Sequence, residues 1–357
     1  MEPRRLRGHS AAATTCIASQ LRPRIVATAG EDGFVCWFDL RCKDVLFKMD
    51  VGRGTPVSSL CFKPGNEDII YVSAGNEVRS FDLHMITFHS KSLFLAAADD
   101  TGDVKIIDIQ QRCMFKTLRA GHNSICSSVQ FLPWKNWEVI SGGLDSKLVM
   151  WDFSKGRPNK IMDLGDKGDA AQCLNPAFIH CLALPEVDMV DKVGKICAVA
   201  KGDGVVSILN IDIELAAPPK SKSSVKPKLG NKSKSTSKDA EASGSQDQDR
   251  IDRGLHLDYS IGGHTAAVSS VTFSTFGERG KFIISGGNDK SIKLWDWSKA
   301  HEDGMGKHGN QLLCLNINQK KKINWLCTAP SDSENLIVCD TSSVVKVYTL
   351  GCTSAEP

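Results

Sequence analysis

Hydrophobic and polar positions along this chain recur as short apolar runs separated by turns. The stretch VISGGLDSKLVMWD places two apolar runs around a Gly/Asp turn, and IISGGNDKSIKLWD repeats the same arrangement further along the chain. Such paired runs are typical of a β-hairpin. Another short apolar run precedes each hairpin, as in VSSVTFS, and a fourth follows it, as in LLCLNI. The pattern therefore predicts units of four strands in about 40 residues.

Copies of this unit cover almost the whole chain. Three clear copies open with Gly-His and close with Asp. The closing Asp follows the His by 30 positions from His9 to Asp39, by 30 from His122 to Asp152 and by 32 from His264 to Asp296. Weaker copies end at Asp82, Asp108, Ile211 and Leu350. These seven copies predict an all-β fold in which residues 1–357 form a single repeat domain.

The Gly-His and Trp-Asp marks on each four-stranded unit resemble those of the WD-repeat β-propeller family. The resemblance implies a seven-bladed propeller and, within a blade, a buried hydrogen-bond chain that joins a His, a strand Ser or Thr, a turn Asp and a Trp. The matching positions are His122, Ser141, Asp145 and Trp151 in blade four, His264, Ser285, Asp289 and Trp295 in blade six, and His9, Thr28 and Asp32 in blade one. Because Phe38 stands at the Trp position of blade one, we expect that chain to stop short. A catalytic triad would not be repeated in three blades, as this set of Ser or Thr, His and Asp is, so these positions are assigned structural roles.

The junction of blades two and three is too short for the repeat. The chain uses 30 residues from Asp39 to Ile69 between a closing Asp and the next blade's second strand, but only 12 from Asp82 to Phe94. This segment is too short to supply both the outer strand of blade two and the inner strand of blade three. Either the blade is truncated or the sequence is a shortened splice or gene-model variant. We expect an exposed strand edge that lowers stability relative to a longer form.

Residues 217–254 form a Lys/Ser-rich stretch with almost no large apolar side chains. A segment of this composition buries too little apolar surface to order itself, so we predict a disordered insert between the third and fourth strands of blade five. The following GLHLDYS is expected to supply the fourth strand. The insert is either a nuclear-import or phosphorylated arm, or a solvated loop without a fixed role.

Composition restricts the classes of function. The chain has 357 residues, 41% hydrophobic content and a net charge of only +3, which argues against nucleic acid and membrane surfaces as partners. Its 13 cysteines include no C-x-x-C pair, which indicates a reducing compartment, the nucleus or the cytoplasm. No apolar run approaches the ~20 residues of a membrane helix.

Candidate catalytic and cofactor motifs are weak. A G-x-G-x-x-G pattern at Gly304, Gly306 and Gly309 follows a strand unit but opens no helix, so it lacks the context of a dinucleotide site. His301 and His308 have no Cys or carboxylate partners at metal-ligand spacing. We therefore predict a protein that is not an enzyme and has no cofactor, metal or small-molecule substrate.

Two surface motifs are candidate partner-binding sites. Phe38, Asp39, Leu40 and Arg41 resemble the W/Y-D-x-R box by which WD-repeat substrate receptors dock on the adaptor of cullin-four ubiquitin ligases, with Phe in place of Trp or Tyr. A guanidinium at the end of this strand is suited to bidentate contacts, although a hydrophobic-D-hydrophobic-R sequence also arises by chance. The second motif is Trp134 and Trp137, which either cover the base of blade four or anchor a partner.

The phrases GHNSICSSVQF, LNPAFIH and KINWL narrow the resemblance to one branch of the family. That branch is associated with cullin-four ligases, and the resemblance implies that this chain is a non-catalytic substrate receptor that binds the adaptor and a client protein. The alternative is a ligase-independent scaffold or a chromatin-associated peptide reader. Closure of the ring by residues near Arg4 to Leu6 favours a monomer.

Overall fold

Seven antiparallel sheets follow one another along the chain as the blades of a propeller. The computed structural model describes residues 1–42, 44–52, 54–82, 94–111, 113–165, 175–216, 254–299 and 312–351. Blade one contains β2 (Ala13–Ala18), β3 (Ile25–Gly30), β4 (Phe34–Asp39) and β5 (Val45–Asp50). Blade four contains β12 (Cys126–Phe131), β13 (Glu138–Gly143), β14 (Lys147–Asp152) and β15 (Arg157–Asp163). The prediction of a seven-bladed all-β propeller is confirmed.

Blades five and six have the same strand order. Blade five contains β16 (Ile179–Ala183), β17 (Ile196–Lys201), β18 (Val206–Asn210) and β19 (Leu255–Leu257). Blade six contains β20 (Val268–Phe273), β21 (Phe282–Gly287), β22 (Ser291–Asp296) and β23 (Leu313–Asn318). GLHLDYS thus supplies the fourth strand of blade five, as predicted. The strand pattern did not predict three short helical elements around blade five. These are α1 (Val190–Val193) between β16 and β17, α2 (Ile211–Ala216) after β18, and a 3-10 turn (Tyr259–Ile261) between β19 and β20.

Blade seven is closed by the start of the chain. It contains β24 (Ile323–Thr328), β25 (Leu336–Asp340) and β26 (Val344–Tyr348), and β1 (Arg4–Arg7) pairs antiparallel with β26. Leu6 faces Val345 in this register and is buried. Because a closed ring leaves fewer free sheet edges, this pairing protects the last blade.

Blades two and three each have three strands within the described residues. Blade two contains β6 (Val57–Lys63), β7 (Asn66–Ala74) and β8 (Glu77–Asp82), and blade three contains β9 (Phe94–Ala98), β10 (Val104–Asp108) and β11 (Cys113–Leu118). β9, in the second-strand position, is partly exposed along its length, whereas the equivalent β3, β13 and β21 are almost fully buried. The predicted shortening of this junction is confirmed, and the intervening residues 83–93 lie outside the described part of the chain.

The hydrophobic core is divided among the interfaces between blades. Apolar clusters fill the interfaces one–two, three–four, four–five, five–six, six–seven and seven–one. Across the residues that the structure describes, no such cluster joins blades two and three. Burial of apolar area is the main force that holds blades together, so we expect this seam to be the weakest of the ring.

Side chains of the innermost strands also link neighbouring blades. The Thr14 hydroxyl donates to the Val57 carbonyl at 2.5 Å, and the Ser127 hydroxyl donates to the Ile179 carbonyl at 2.5 Å. Ser269 donates to the Ile323 carbonyl at 2.6 Å in the same way. Each bond joins the first strand of one blade to the first strand of the next blade at an equivalent position. The first strands of these blades therefore run in the same direction. The loops after first and third strands therefore lie on one face of the disc, called here the lower face, and the Asp turns lie on the upper face.

Candidate functional site

Four polar side chains form a continuous buried chain in blades four and six. In blade four, Trp151 Nε1–H donates to Ser141 Oγ at 2.8 Å, and Ser141 Oγ lies 2.8 Å from His122 Nε2. His122 Nδ1 lies 3.0 Å from Asp145 Oδ1. In this order the indole donates to the hydroxyl, the hydroxyl to the imidazole and the imidazole to the carboxylate. Each member therefore has a partner without needing water.

Blade six repeats the geometry with its own four residues. Trp295 Nε1 lies 3.0 Å from Ser285 Oγ, Ser285 Oγ lies 2.8 Å from His264 Nε2, and His264 Nδ1 lies 3.0 Å from Asp289 Oδ1. Burial lowers the pKa of His264, despite the opposing effect of Asp289. Burial acts to raise the pKa of Asp289, but bonds from His264, Ser291 and Thr265 outweigh it and lower that pKa to about 2. The pair is a neutral imidazole bonded to a carboxylate.

Blade one has the first three members of the chain but not the last. His9 Nε2 lies 2.8 Å from Thr28 Oγ1, and His9 Nδ1 lies 3.0 Å from Asp32 Oδ1. Phe38 occupies the Trp position, as its pairing with Val26 shows, and it offers no donor to Thr28. A Cβ on Gly8 would lie 2.9 Å from the Phe38 ring, so a larger residue here would have to displace that buried ring.

The Gly-His glycine of blade four meets the same constraint. A Cβ on Gly121 would lie 2.3 Å from the Trp151 ring, so the indole packs directly on the backbone. In this arrangement the Ser141 hydroxyl is fully buried and donates to an imidazole that has no exposed side-chain surface. A nucleophile must reach its substrate, so these residues support the blade and are not placed for catalysis.

Arg41 lies on the lower face, in the loop between β4 and β5. Its side chain is 67% exposed, and its guanidinium Nε lies 2.9 Å from Asp39 Oδ1 and 3.0 Å from Oδ2. The hydrogen bond from Arg41 holds the pKa of Asp39 below its ordinary value. Phe38 and Leu40 are buried in the core between blades one and seven. Within the box, the structure therefore places only Arg41 where its side chain projects into solvent.

Arg4 and Glu334 support this loop, and the sequence pattern did not single them out. The Arg4 guanidinium donates to the carbonyl oxygens of Leu40 and Cys42. It also pairs with Glu334, at 2.7 Å from Nη1 to Oε1. Arg4 belongs to β1 and Glu334 to a loop of blade seven, so ring closure and loop position are coupled.

Trp134 and Trp137 lie in the lower-face loop between β12 and β13, but their surroundings differ. Trp134 packs against the core of blades four and five, and its Nε1 is buried. Trp137 is 46% exposed, and its ring centroid lies 5.2 Å from that of Phe153 and 5.7 Å from that of Phe94. Only Trp137 is therefore available to a partner.

Trp137 belongs to a larger group of rings across blades three and four. This aromatic patch consists of Phe94, Phe115, Phe131, Trp137 and Phe153. Phe153 is fully buried at its centre, whereas Phe115 is 40% exposed, and the Phe94 and Phe115 centroids are 4.9 Å apart. Sequence reasoning missed the phenylalanines because they come from four separate segments. One feature of the sequence could have indicated the patch. Phe153 directly follows the Trp-Asp mark of blade four, at the position that the smaller Leu40 occupies in blade one.

Metal-binding clusters and membrane-spanning helices are both missing from the residues that the structure describes. Within the described ranges, no group of three or more His, Cys, Asp or Glu side chains is arranged to hold a metal ion. No helix in that part of the chain is long and apolar enough to cross a membrane. Gly304, Gly306, Gly309, His301 and His308 lie outside the described residues, as do residues 217–253 of the predicted insert.

Comparisons with known proteins agree with this architecture. The family model of the WD domain, G-beta repeat, matches residues 113–152 and 256–296. A crystal structure of the WD40 β-propeller domain of Doa1 superposes with a TM-score of 0.64, at 12% identity over 98% of this chain and 96% of that one. The chain carries WD40 repeats and has the fold of a WD-repeat propeller.

Two curated relatives extend the similarity along the chain. The WD repeat-containing protein 53 homolog of Dictyostelium discoideum is 24% identical over 94% of this chain and 91% of its own length. The nuclear distribution protein nudF of Aspergillus niger is 25% identical over 62% of this chain and 51% of its own length. The first similarity agrees with the family branch that the sequence motifs indicate.

Proposed function

We propose that this protein is a non-catalytic interaction scaffold that serves as a substrate receptor of a cullin-four RING ubiquitin ligase. WD40 propellers are generally scaffolds that bind other proteins, and loops on a rigid frame are the usual place for such binding. In this proposal the lower face around Arg41 binds the ligase adaptor, and a second surface binds the client.

The environment of Arg41 carries the proposal. Its guanidinium is exposed beside a buried aspartate, and the supporting loop is held in place by Arg4 and Glu334. A pre-positioned guanidinium can donate paired, charge-assisted hydrogen bonds to a partner at a small entropic cost. Blades four and six have Ser154 and Ser298 at the equivalent position, so this feature distinguishes blade one.

An affinity pull-down from cell extract tests the proposal. Intact protein and the Arg41→Ala variant are compared by mass spectrometry after both are shown to melt alike. The adaptor of the cullin-four ligase should be enriched with the intact protein and lost with the variant. Equal recovery with both proteins, or with neither, would argue against the receptor role.

The exposed Trp137 favours a second candidate function. A ligase-independent scaffold or chromatin-associated peptide reader would use the aromatic patch without Arg41. In that case the pull-down should recover the same partners with intact protein and Arg41→Ala, and lose them with Trp137→Ala. For either function we propose a monomer in the nucleus or cytoplasm.

A further inference from the structure

The third strand of blade two, β8, has a free outer edge within the described residues. Its sheet has the order β6-β7-β8, whereas the sheets of the other six blades continue from the third strand to a fourth. A free edge presents backbone N–H and C=O groups that can pair with another extended chain. The blades with a fourth strand show which side chain such a chain needs.

One apolar residue of the third strand is covered by the fourth strand in each of these six blades. The covering residue is always Leu, Met or Ile, in the pairs Val35 with Met49, Val104 with Leu118, Leu148 with Met162, Val206 with Leu257, Ile292 with Ile317, and Val345 with Leu6. The covered residues are at most 2% exposed. In blade two the equivalent residue is Val78, four positions before the closing Asp82, and it is 37% exposed.

The link from Asp82 to Phe94 is too short to cover this edge and also reach blade three. In blades one and four the fourth strand ends 11 positions after the closing Asp (39 to 50 and 152 to 163), at the upper face. Phe94 follows Asp82 by 12 positions and begins β9 at the lower face. A strand of six residues spans about 20 Å, whereas one further residue reaches at most ~3.6 Å. A fourth strand for blade two therefore has to come from elsewhere.

Blade seven shows that a separate segment can cover such an edge. Its fourth strand is β1, from the opposite end of the chain, and Leu6 of this strand is buried over Val345. We propose that an extended segment of a partner protein pairs antiparallel with β8 and places a Leu, Met or Ile over Val78. β8 itself carries none of these three residue types, so a second copy paired through this strand would not supply the side chain. The proposal concerns blade two and does not rest on the receptor function.

The charged residues beside Val78 help to set the register. In an antiparallel pair, Arg79 and Glu77 lie opposite the residues before and after the aliphatic one. They pair with each other at 2.7 Å and both reach solvent, so a carboxylate opposite Arg79 and a cation opposite Glu77 would each add a favourable cross-strand contact. The peptide TVTELKT combines these features, with its leucine over Val78.

Fluorescence anisotropy with labelled peptides and the full chain tests the inference. TVTELKT should bind, and TVTESKT, which lacks the aliphatic side chain, should bind about tenfold more weakly or worse. Backbone N-methylation gives a second test, because alternate N–H groups of an added strand point toward its neighbour. Of two TVTELKT peptides, methylated at the third and fifth or at the fourth and sixth residues, one should lose binding and the other should retain it.

Variants of the protein locate the binding edge. Val78→Asp should weaken TVTELKT binding by about tenfold or more, because a carboxylate replaces the apolar contact. Val187→Asp is the matched control, since Val187 is 70% exposed between β16 and β17 of blade five, and binding should be unchanged. Both variants are first shown to melt like the intact protein. Bound peptide should also slow amide hydrogen exchange in residues 77–82.

Four results would overturn the inference: no binding of TVTELKT to the intact chain, equal binding of TVTESKT, equal effects of the two methylation patterns, or protection of residues 94–98 in place of 77–82. A dimer of the free chain that Val78→Asp dissociates would also overturn it, because the edge would then belong to a second copy. None of these outcomes affects adaptor binding through Arg41, so the two proposals fail separately.

Discussion

The Arg41 guanidinium lies against the Asp39 carboxylate, with Nε 2.9 Å from Oδ1 and 3.0 Å from Oδ2. Ser154 and Ser298 bond the equivalent Asp152 and Asp296 in blades four and six, each at 2.5 Å. A small hydroxyl and a lysine therefore satisfy the closing aspartate in those blades, with Lys155 Nζ 2.7 Å from Asp152 and Lys299 Nζ 3.7 Å from Asp296. In blade one the same role is taken by a much larger cation, whose side chain is 67% exposed. Blade one thus places an exposed guanidinium two residues after its closing aspartate, where blades four and six have a serine.

The buried chain of blade four predicts a stability cost when its indole donor is removed. Trp151→Phe should lower the free energy of unfolding by about 1–3 kcal/mol, because Ser141 Oγ loses a partner in a buried site. Chemical denaturation measures this change. Trp37→Phe is the control, since within the described residues the Trp37 indole makes no hydrogen bond. A cost in Trp151→Phe no larger than in the control would contradict the role of the chain.

Acid should destabilise the protein in two steps. The pKa values of His9 and His264 lie below their ordinary 6.5, mainly through burial. Between the lowered native pKa and the ordinary value of 6.5, each histidine is protonated in the unfolded chain but not in the native state. The free energy of unfolding should therefore fall as the pH drops below about 6.5. A second loss should follow below pH 3.8, as the unfolded Asp289 protonates while the native carboxyl, with its pKa of about 2, stays ionised. Denaturation midpoints that stay level from pH 7 to 5 would be inconsistent with buried neutral histidines.

Blade one offers the reverse experiment. Phe38→Trp should give Thr28 the indole donor found in blades four and six and raise the free energy of unfolding by about 0.5–1.5 kcal/mol. Gly8 has no side chain where the Phe38 ring packs on the backbone, just as Gly121 has none beside the Trp151 ring of blade four. Urea denaturation measures the change, and a destabilised variant would show that blade one cannot accommodate the indole.

The seam between blades two and three should be the first part of the ring to open. Amide hydrogens of β9 should exchange faster than those of β13, because β9 is partly exposed and no apolar cluster supports it toward blade two in the described residues. Hydrogen exchange with mass spectrometry compares the two strands directly. A form of the protein with a full-length junction should melt at a higher temperature, and equal melting temperatures would remove the idea that the short junction costs stability.

Much of this fold is predictable from sequence because each blade must meet the same requirements. After each Gly-His histidine the strand Ser and the closing Trp recur ten residues apart in blades four and six, since a buried hydroxyl and imidazole need each other. The short link from Asp82 to Phe94 likewise indicates missing strands through chain length alone.

Contacts between distant segments are harder to predict. Arg4 reaches Leu40, Cys42 and Glu334 only because β1 closes the ring, and this pairing brings opposite ends of the chain together. The aromatic patch likewise depends on where blades three and four meet. Trp134 and Trp137 belong to the same short motif, yet only the structure shows that one faces the core and the other faces solvent.

Direct binding of the purified protein to the purified cullin-four adaptor tests the central claim, that Arg41 docks this propeller on the ligase. Calorimetry should show binding by the intact protein and an affinity lower by about tenfold or more in Arg41→Ala. Arg41→Lys should recover little, because an ammonium lacks the planar fork of donors. Arg119→Ala, which removes a 76% exposed arginine from blade three, should bind like the intact protein. The absence of binding by the intact protein, or equal affinity in all four proteins, would contradict the account.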